Sequence, residues 1–400
     1  MARAAGLLRG AVSLIGRRRV SYNIALQSNP RINVTSVSAL PKAITEYQSL
    51  GAEELFHRTV CAKRALGEQV MVLGHNYQRD EVIEHADFRG DSLLLSKLAA
   101  ERSERPFVLF CGVHFMAETA DILSRSNQTV ILPDLAAGCS MADMAVIEQV
   151  DQCWESLGRI LPVEETVMPA VYVNSAAVLK AFCGEHGGIT CTSSNAKAVM
   201  EWSWARREKI LFFPDEHLGR NTANKMGLPR EEMIVWDPFQ PNGGNTREAI
   251  RRAKLILWKG HCSVHQMFQP AHVDHFRKQY SEGKVIVHPE CHEHVVNRAD
   301  LVGSTEFIIK TVAAAPAGSV WAVGTELNLV NRLKRDLPDK KVFFLSSTVC
   351  QCATMFRIDA AHLCWAMENL ADGHVVNHIT VPDDDKRWAK IALDRMMSVS

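Results

Sequence analysis

The sequence predicts an α/β protein made of three similar units, each with a small parallel sheet packed between helices. Three segments repeat one layout, and they run from VMVLGHNYQ to PDLAAGC, from PAVYVNSAA to WKGHC and from KVIVHPECH to SSTVCQC. His75 is also separated from Cys139 by the same number of residues as His288 from Cys352. A chain of 400 residues is too long for one ordinary core and suits several α/β units.

The composition is that of an ordinary globular protein, with 47% hydrophobic and 22% charged residues. A net charge of zero argues against binding to nucleic acid or to a membrane surface through bulk electrostatics. The eleven cysteines lack the density of a secreted disulfide scaffold, which predicts a reducing compartment. No apolar run is long enough to predict a transmembrane helix.

Residues 1–44 form a basic leader, because several arginines and serines precede the first acidic residue, Glu46. This composition is typical of an organellar transit peptide, and a disordered basic tail on a cytoplasmic protein explains it equally well. The predicted location is therefore cytoplasmic, or organellar if the leader is a transit peptide, with the mitochondrion favoured over the plastid.

Each unit opens with a short apolar strand, QVMVLG, PAVYVN or KVIVHP. Apolar runs without alternation are typical of parallel strands that are covered on both faces. Polar side chains stand at the carboxyl end of each strand, where parallel α/β sheets bind ligands. They are His75 and Tyr77 in the first unit, Tyr172 and Asn174 in the second, and His288, Glu290 and Cys291 in the third.

A helix is predicted next in each unit, in ADFRGDSLLLSKLAAE, ITCTSSNAKAVMEW and ADLVGSTEFIIKTVAAA. Small hydroxyl residues mark the three starts, at Ser92, Ser193 and Ser304–Thr305. Ser and Thr are common helix caps, which is one interpretation of these residues. A helix N-terminus can also bind an anion, and three equivalent positions favour carboxylate or phosphate binding.

Two more strands are predicted in each unit before its cysteine. The second strands lie in PFVLFCGVHFMAE, KILFFPDEHLG and SVWAVGTELNLV, and the third in TVILPD, MIVWDP and KVFFLSS. The predicted division is into repeats at 45–138, 139–238 and 239–348, followed by a last cysteine and C-terminal helices in 349–400.

Three cysteines follow the last strands at similar places: Cys139 in AAGCSMAD, Cys262 in WKGHCSVH and Cys352 in VCQCATM. Three thiolates around one point suit a [4Fe–4S] cluster with one iron left free for substrate. Such an iron can act as a Lewis acid in a dehydration. GHCSVH by itself could instead indicate a zinc site through Cys262 and His265.

Taken together, the motifs resemble those of the quinolinate synthase family from about Val70 to the C-terminus. They are GHNYQRDEV, ADFRGDS, CGVHFMAETA, PDLAAGCSMAD, YVNS, CTSSNA, FFPDEHLG, GHCSVH, VHPEC, ADLVGST, GTE and CATM. The resemblance implies three αβα domains around a pseudo-threefold axis with a central [4Fe–4S] cluster. It also implies the condensation of iminoaspartate with dihydroxyacetone phosphate to quinolinate in NAD biosynthesis, with an L-aspartate oxidase or dehydrogenase as the source of iminoaspartate.

The resemblance also implies a set of site residues. Cys139, Cys262 and Cys352 would be the cluster ligands, and Cys352 is preferred to Cys350 because Ala-Thr-Met355 follows it as in the family. Catalytic roles fall on Tyr77, Glu290 and His265. The expected substrate-binding residues are His75, Ser92, Tyr172, Asn174, Ser193, His288, Ser304 and Thr305.

Two other functions remain open at this stage. A different [4Fe–4S] hydro-lyase, of the aconitase type, would use the same open iron on a hydroxy acid without phosphate. An iron–sulfur carrier or sensor would need neither Glu290 nor Tyr77. For an enzyme with an exposed iron, we expect inactivation by air.

Overall fold

The computed structural model of the chain describes residues 40–102, 104–348 and 351–399. Most of the predicted leader, and Cys350, lie outside the described residues, so the transit peptide stays a prediction. Within the described ranges, no helix combines the length and the apolar character needed to cross a bilayer.

The strands are short and form three sheets. Those of the first sheet are β1 Val70–His75, β2 Phe88–Gly90, β3 Phe107–Cys111, β4 Thr129–Ile131 and β14 His378–Ile379. Those of the second are β5 Val167–Tyr172, β6 Ile189–Cys191, β7 Lys209–Phe213, β8 Met233–Trp236 and β9 Leu255–Trp258. Those of the third are β10 Lys284–Val287, β11 Leu301–Val302, β12 Val320–Gly324 and β13 Lys341–Phe344.

The first three strands of each unit have the same order in the three sheets, with the opening strand between the second and the third. The full order is β2-β1-β3-β4-β14 in the first sheet, β6-β5-β7-β9-β8 in the second and β11-β10-β12-β13 in the third. Neighbouring strands pair in parallel, apart from β14, which pairs with β4 in the antiparallel sense. The predicted class, with parallel sheets in repeated α/β units, is therefore confirmed.

Helices cover both faces of the sheets. Their bounds are α1 Thr45–Gln48, α2 Ala52–Leu66, α3 Asp80–Ile83, α4 Ser92–Glu101, α5 His114–Leu123, α6 Ile147–Gly158, α7 Val163–Thr166, α8 Ala177–Glu185, α9 Ala196–Trp204, α10 Glu216–Lys225, α11 Arg247–Arg252, α12 Ser263–Gln266, α13 Pro270–Gln279, α14 Glu293–Val296, α15 Thr305–Ala314, α16 Leu327–Asp336, α17 Ala360–Ala371 and α18 Asp383–Ser398. Short 3₁₀ turns lie at Gly67–Gln69, Ala142–Met144, Arg230–Glu232, Pro241–Gly244 and Met355–Arg357.

The opening strands are buried on both faces, as their uniformly apolar sequences predict. All residues of β1 and β5 are buried, and only Lys284 of β10 is exposed. In the second sheet, Ile210 and Phe212 of β7 pack into the core on one face while Leu211 and Phe213 pack into the core on the other. This alternation makes the sheet the middle of three layers.

The structure corrects the prediction for the third strand of the middle unit. MIVWDP forms β8 at the edge, whereas β9, in LILW, lies between β7 and β8 and corresponds to β4 and β13. The predicted boundary between 238 and 239 falls between β8 and β9, which are neighbouring strands of this sheet. The edge strands β2, β6 and β11 were also missed, because two or three residues are too few to show a pattern.

The second predicted strands end earlier than expected. GVHFMAE, PDEHLG and TELNLV leave the strand conformation, and α5, α10 and α16 begin within them. Asp215 caps α10 and Glu326 caps α16 by accepting hydrogen bonds from backbone N–H groups of the first turn. The two predicted C-terminal helices are present as α17 and α18.

Candidate active site

The predicted polar residues gather at the carboxyl ends of the opening strands. His75 ends β1 and Tyr172 ends β5, while His288 follows β10 directly. All three side chains are buried. Because the strands of each sheet run parallel, their carboxyl ends present loops at one edge, which is the usual position of a ligand site.

Glu290 is the centre of the buried polar network at this site. The Tyr172 hydroxyl donates a hydrogen bond to Glu290 Oε1 over 2.6 Å. His265 Nδ1 lies 2.9 Å from Glu290 Oε2, and His288 Nδ1 lies 3.8 Å from Oε1. Tyr172 ends β5 of the second sheet, whereas Glu290 follows β10 of the third, so the phenol of one repeat donates to the carboxylate of another.

A hydroxyl that the sequence analysis did not single out extends this network to Tyr77. The Thr325 hydroxyl lies 2.7 Å from the Tyr77 hydroxyl and 3.2 Å from His265 Nε2. With the His265 proton on Nδ1, toward Glu290, Nε2 is free to accept from Thr325. The GTE segment that contains Thr325 was among the family motifs, but nothing in its sequence pattern indicated a contact with Tyr77.

The electrostatic environment keeps Glu290 ionised. Burial by itself would raise the pKa of Glu290, but the two facing histidine rings and the Tyr172 hydroxyl hold that pKa below its ordinary value, at about 2. A buried carboxylate that stays ionised at neutral pH can act as a proton acceptor.

The surrounding groups are held in their neutral forms. Burial lowers the pKa of His75 and that of His288 to about 3 each, and the positive charge of Arg332 adds to the effect on His75. Burial likewise raises the pKa values of Tyr77 and Tyr172 well above the ordinary value for tyrosine. At neutral pH the site therefore contains the Glu290 carboxylate together with neutral His75 and His288 and the protonated phenols of Tyr77 and Tyr172.

The loops that carry two of the predicted cysteines are fixed to helix starts in the same way. The N–H of His114, the first residue of α5, donates to Ala137 O over 2.7 Å. The N–H of Glu216, the first residue of α10, donates to Gly260 O over 2.8 Å. Each acceptor lies two residues before a predicted ligand, Cys139 or Cys262, so the two loops have equivalent positions in their repeats.

The charges of the three predicted thiols affect one another, and Cys139 and Cys262 are also affected by Glu290. The loops of Cys139 and Cys262 meet where the hydroxyls of Ser140 and Ser263, the residues that follow these cysteines, lie 3.5 Å apart. Burial raises the pKa of Cys139 to about 12, and the charge of Cys352 adds to that rise. Burial also raises the pKa of Cys262, with further contributions from the charges of Glu290, Cys139 and Cys352. Three neighbouring thiols on loops are the donor set that an iron–sulfur cluster needs, so these residues fit the predicted cofactor.

A second set of ligand atoms overlaps the first. Cys262 Sγ, a ring nitrogen of His265 and a carboxylate oxygen of Glu290 lie within 4.8 Å of one another. Cysteine, histidine and a carboxylate are also zinc ligands. The zinc interpretation of GHCSVH therefore has its own structural support.

The predicted helix starts are reproduced at two of the three positions. α4 begins at Ser92 behind Asp91, whose side chain accepts from a backbone N–H of the first turn, and α15 begins at Thr305 behind Ser304, which does the same. α9 begins three residues after Ser193. Side-chain capping therefore accounts for Asp91 and Ser304.

Several predicted substrate-binding residues stay apart from the polar network. Among the described residues, no hydrogen bond joins the side chains of the following residues to Glu290 or to its partners: Ser92, Asn174, Ser193, Ser304 and Thr305. Their roles in binding substrate stay predictions.

The fold and the site define an α/β enzyme with repeated parallel sheets and a buried network of a carboxylate, imidazoles and phenols near Cys139 and Cys262. The family described as quinolinate synthetase A protein matches residues 60–398 of this chain. The chain belongs to this family, which confirms the resemblance that the motifs indicated.

Individual relatives are similar over nearly their whole length. The quinolinate synthase of Acidobacterium capsulatum is 56% identical over 92% of this chain and 100% of its own. That of Rhodopirellula baltica is 54% identical over 88% of this chain and 93% of its own. That of Herpetosiphon aurantiacus is 55% identical over 89% of this chain and 95% of its own.

Proposed function

We propose that this protein condenses iminoaspartate with dihydroxyacetone phosphate to form quinolinate, phosphate and water, as a step of NAD biosynthesis. The observation that carries the proposal is the position of Glu290, an ionised carboxylate between Tyr172 and His265, beside three thiols. Membership of the family, and the names of the relatives, support the same reaction.

The protonation states suggest different roles for the Glu290 carboxylate and for the phenols of Tyr77 and Tyr172. Such a condensation needs a proton removed beside an imine or carbonyl and protons delivered to departing hydroxyls. Glu290 is ionised, which suits proton removal, whereas the phenols of Tyr77 and Tyr172 carry protons that they can donate. The contacts of Thr325 with Tyr77 and His265 provide a path by which the two ends of the network can exchange a proton.

Cys139, Cys262 and Cys352 would hold a [4Fe–4S] cluster in this proposal. Such a cluster would supply a Lewis acid for substrate hydroxyl and carboxylate groups. The protein itself would bind the substrates through neutral His75 and His288 and through the phenols, and would exclude water by burying these groups.

The test is an anaerobic assay for quinolinate from freshly generated iminoaspartate and dihydroxyacetone phosphate, with iron, sulfide and zinc measured on the same sample. Quinolinate together with about four irons and four sulfides per chain would support substrates and cofactor at once. Quinolinate together with one zinc and no sulfide would favour the site at Cys262, His265 and Glu290.

Two further outcomes would overturn the proposal. A full cluster without quinolinate would indicate another hydro-lyase, for which a hydroxy acid without phosphate should be tried as substrate. A cluster that passes readily to an acceptor protein, again without quinolinate, would indicate a carrier.

We also expect activity to be lost in air when iron is the bound metal. If an L-aspartate oxidase supplies iminoaspartate, adding one with aspartate should replace the chemical source in the same assay.

A further inference from the structure

The loop that carries Glu290 is held by a side chain from the neighbouring repeat. Asn221, the sixth residue of α10, donates through Nδ2 to Pro289 O over 2.8 Å and to Cys291 O over 2.7 Å. These two carbonyls belong to the residues on either side of Glu290. Because a side-chain amide has only two N–H bonds, both are used on this loop.

The loop that carries Tyr77 is held in the same way at another junction. Arg332, the sixth residue of α16, donates through Nη1 to Asn76 O over 2.8 Å and through Nη2 to Gln78 O over 2.6 Å. These residues again lie on either side of the candidate acid–base group. Asparagine and arginine differ in size and charge, yet they occupy the same helix position and use equivalent acceptors.

Burial makes both contacts consequential. Asn221 is 6% exposed and Arg332 is 9% exposed, so water cannot easily replace either donor. A buried carbonyl without a donor is costly, so loss of one of these side chains should force its loop to move. The side chains touch the backbone of the loops, while the side chains of Glu290 and Tyr77 point to other partners.

The loop after β5 is held by a different arrangement. Lys180, a fully buried residue of α8 in the same repeat, donates to Ser175 O. Among the described residues, a side chain from a neighbouring repeat thus donates to the two flanking carbonyls at two of the loops after the opening strands. These are the loops that carry Glu290 and Tyr77.

We propose that Asn221 and Arg332 are positioning residues that align Glu290 and Tyr77 by fixing the backbone on either side of each. The inference rests on the proposed function, because only there are Glu290 and Tyr77 the acid–base groups. It makes the geometry of each acid–base group depend on contact between two repeats. A misplacement of about 1 Å at a reacting group can cost roughly 100-fold in rate.

The structure offers a matched control on each helix, three residues further along. Asn224 Nδ2 lies 3.4 Å from Glu293 Oε2, and Arg335 forms an ion pair with Asp80. Both contacts cross the same junctions, and neither touches a loop carbonyl. If Asn221 and Arg332 only stabilised the contacts between repeats, substitutions at Asn224 and Arg335 should lower the activity as much as substitutions at Asn221 and Arg332.

The experiment compares Asn221→Leu with Asn224→Leu, and Arg332→Lys with Arg335→Lys, in the full chain loaded anaerobically. We expect kcat to fall roughly 10- to 100-fold in Asn221→Leu and Arg332→Lys, with KM within about threefold of the wild-type value and metal content unchanged. The two control variants should keep the wild-type kcat.

A second readout does not depend on activity or on metal. Exchange of the backbone amide hydrogens of His288, Glu290 and Cys291 in the metal-free chain should rise at least about tenfold in Asn221→Leu and stay unchanged in Asn224→Leu. Unchanged exchange, or a wild-type kcat, in Asn221→Leu would overturn the inference. If the wild-type protein makes no quinolinate, the proposed function fails, while the exchange measurement still decides whether Asn221 holds the loop.

Discussion

Replacement of Glu290 by glutamine should separate proton transfer from the architecture of the site. The amide of Glu290→Gln is the same size as the carboxylate, and its oxygen can still accept from Tyr172 over the present 2.6 Å. Its NH₂ group would face His265 Nδ1, which can accept if the ring proton moves to Nε2, toward Thr325. Every hydrogen bond of the network can thus be kept, and we expect normal folding and metal content.

What the variant loses is the carboxylate of Glu290, which is deprotonated at neutral pH and so can accept a proton. A positioned general base contributes about 10²- to 10⁴-fold, so kcat should fall by that factor, or about 3–5 kcal/mol in barrier height. KM should change little, because the size and hydrogen bonds are retained.

The assay is anaerobic quinolinate formation on samples with equal metal content. Glu293→Gln is the matched control, since Glu293 is a carboxylate three residues away that pairs with Arg230 outside the network. It should keep wild-type kcat. A Glu290→Gln enzyme that turns over within about threefold of wild type would refute the role of Glu290 as base.

Three further predictions concern the metal centre and the stability of the fold. Cys262→Ala should lose the bound metal, whereas Cys291→Ala, at a buried cysteine next to Glu290 in the sequence, should retain it in anaerobic iron and sulfide analysis; retention by both would remove Cys262 from the ligand set. Burial would raise the pKa of Glu368, but three donors hold it at about 2, so its stabilising effect should be complete above pH 4.5 and be lost as the pH falls toward 2. Glu368→Gln should therefore lower the free energy of unfolding by about 2 kcal/mol at pH 7, after allowing for solvent screening, and by nothing near pH 2 in urea titrations; an equal difference at both pH values would contradict this. Gly184→Ala should lower the free energy of unfolding by about 1–3 kcal/mol, because the added Cβ would lie 1.9 Å from a backbone carbonyl oxygen of α18. Gly158→Ala, whose Cβ would lie 3.5 Å from its nearest atom, should be nearly neutral in thermal unfolding.

The opening strands could be predicted because parallel strands covered on both faces are continuous apolar runs. QVMVLG, PAVYVN and KVIVHP differ sharply from the polar residues that follow them, and so His75, Tyr77 and Glu290 could be placed at the strand ends. β9 was missed although LILW is equally apolar, because its neighbours in sequence gave no reason to place it inside the sheet.

The residues that only spatial contacts reveal could not be predicted. Asn221 lies in EHLGRNTANK, a polar helix segment in which a solvated surface residue is the ordinary expectation. Thr325 was visible as part of GTE, but its neighbours Tyr77 and His265 are far away in sequence. Such contacts depend on how the repeats pack against one another, and the spacing of the motifs along the sequence does not specify that packing.

The arrangement of the last cysteine loop bears on the choice between Cys352 and Cys350. Burial raises the pKa of Asp215, the cap of α10, while a hydrogen bond from the backbone N–H of Cys262 lowers that pKa. Burial likewise raises the pKa of Glu326, the cap of α16, to about 7, while a hydrogen bond from the backbone N–H of Cys352 lowers that pKa. The two capping carboxylates hold equivalent positions, and each faces the backbone N–H of one cysteine. Cys352 therefore corresponds to Cys262, which supports it as the third proposed ligand although Cys350 lies outside the described residues. Burial raises the pKa values of Cys262 and Cys352, so binding of the proposed metal by these thiols would have to displace protons that are hard to remove.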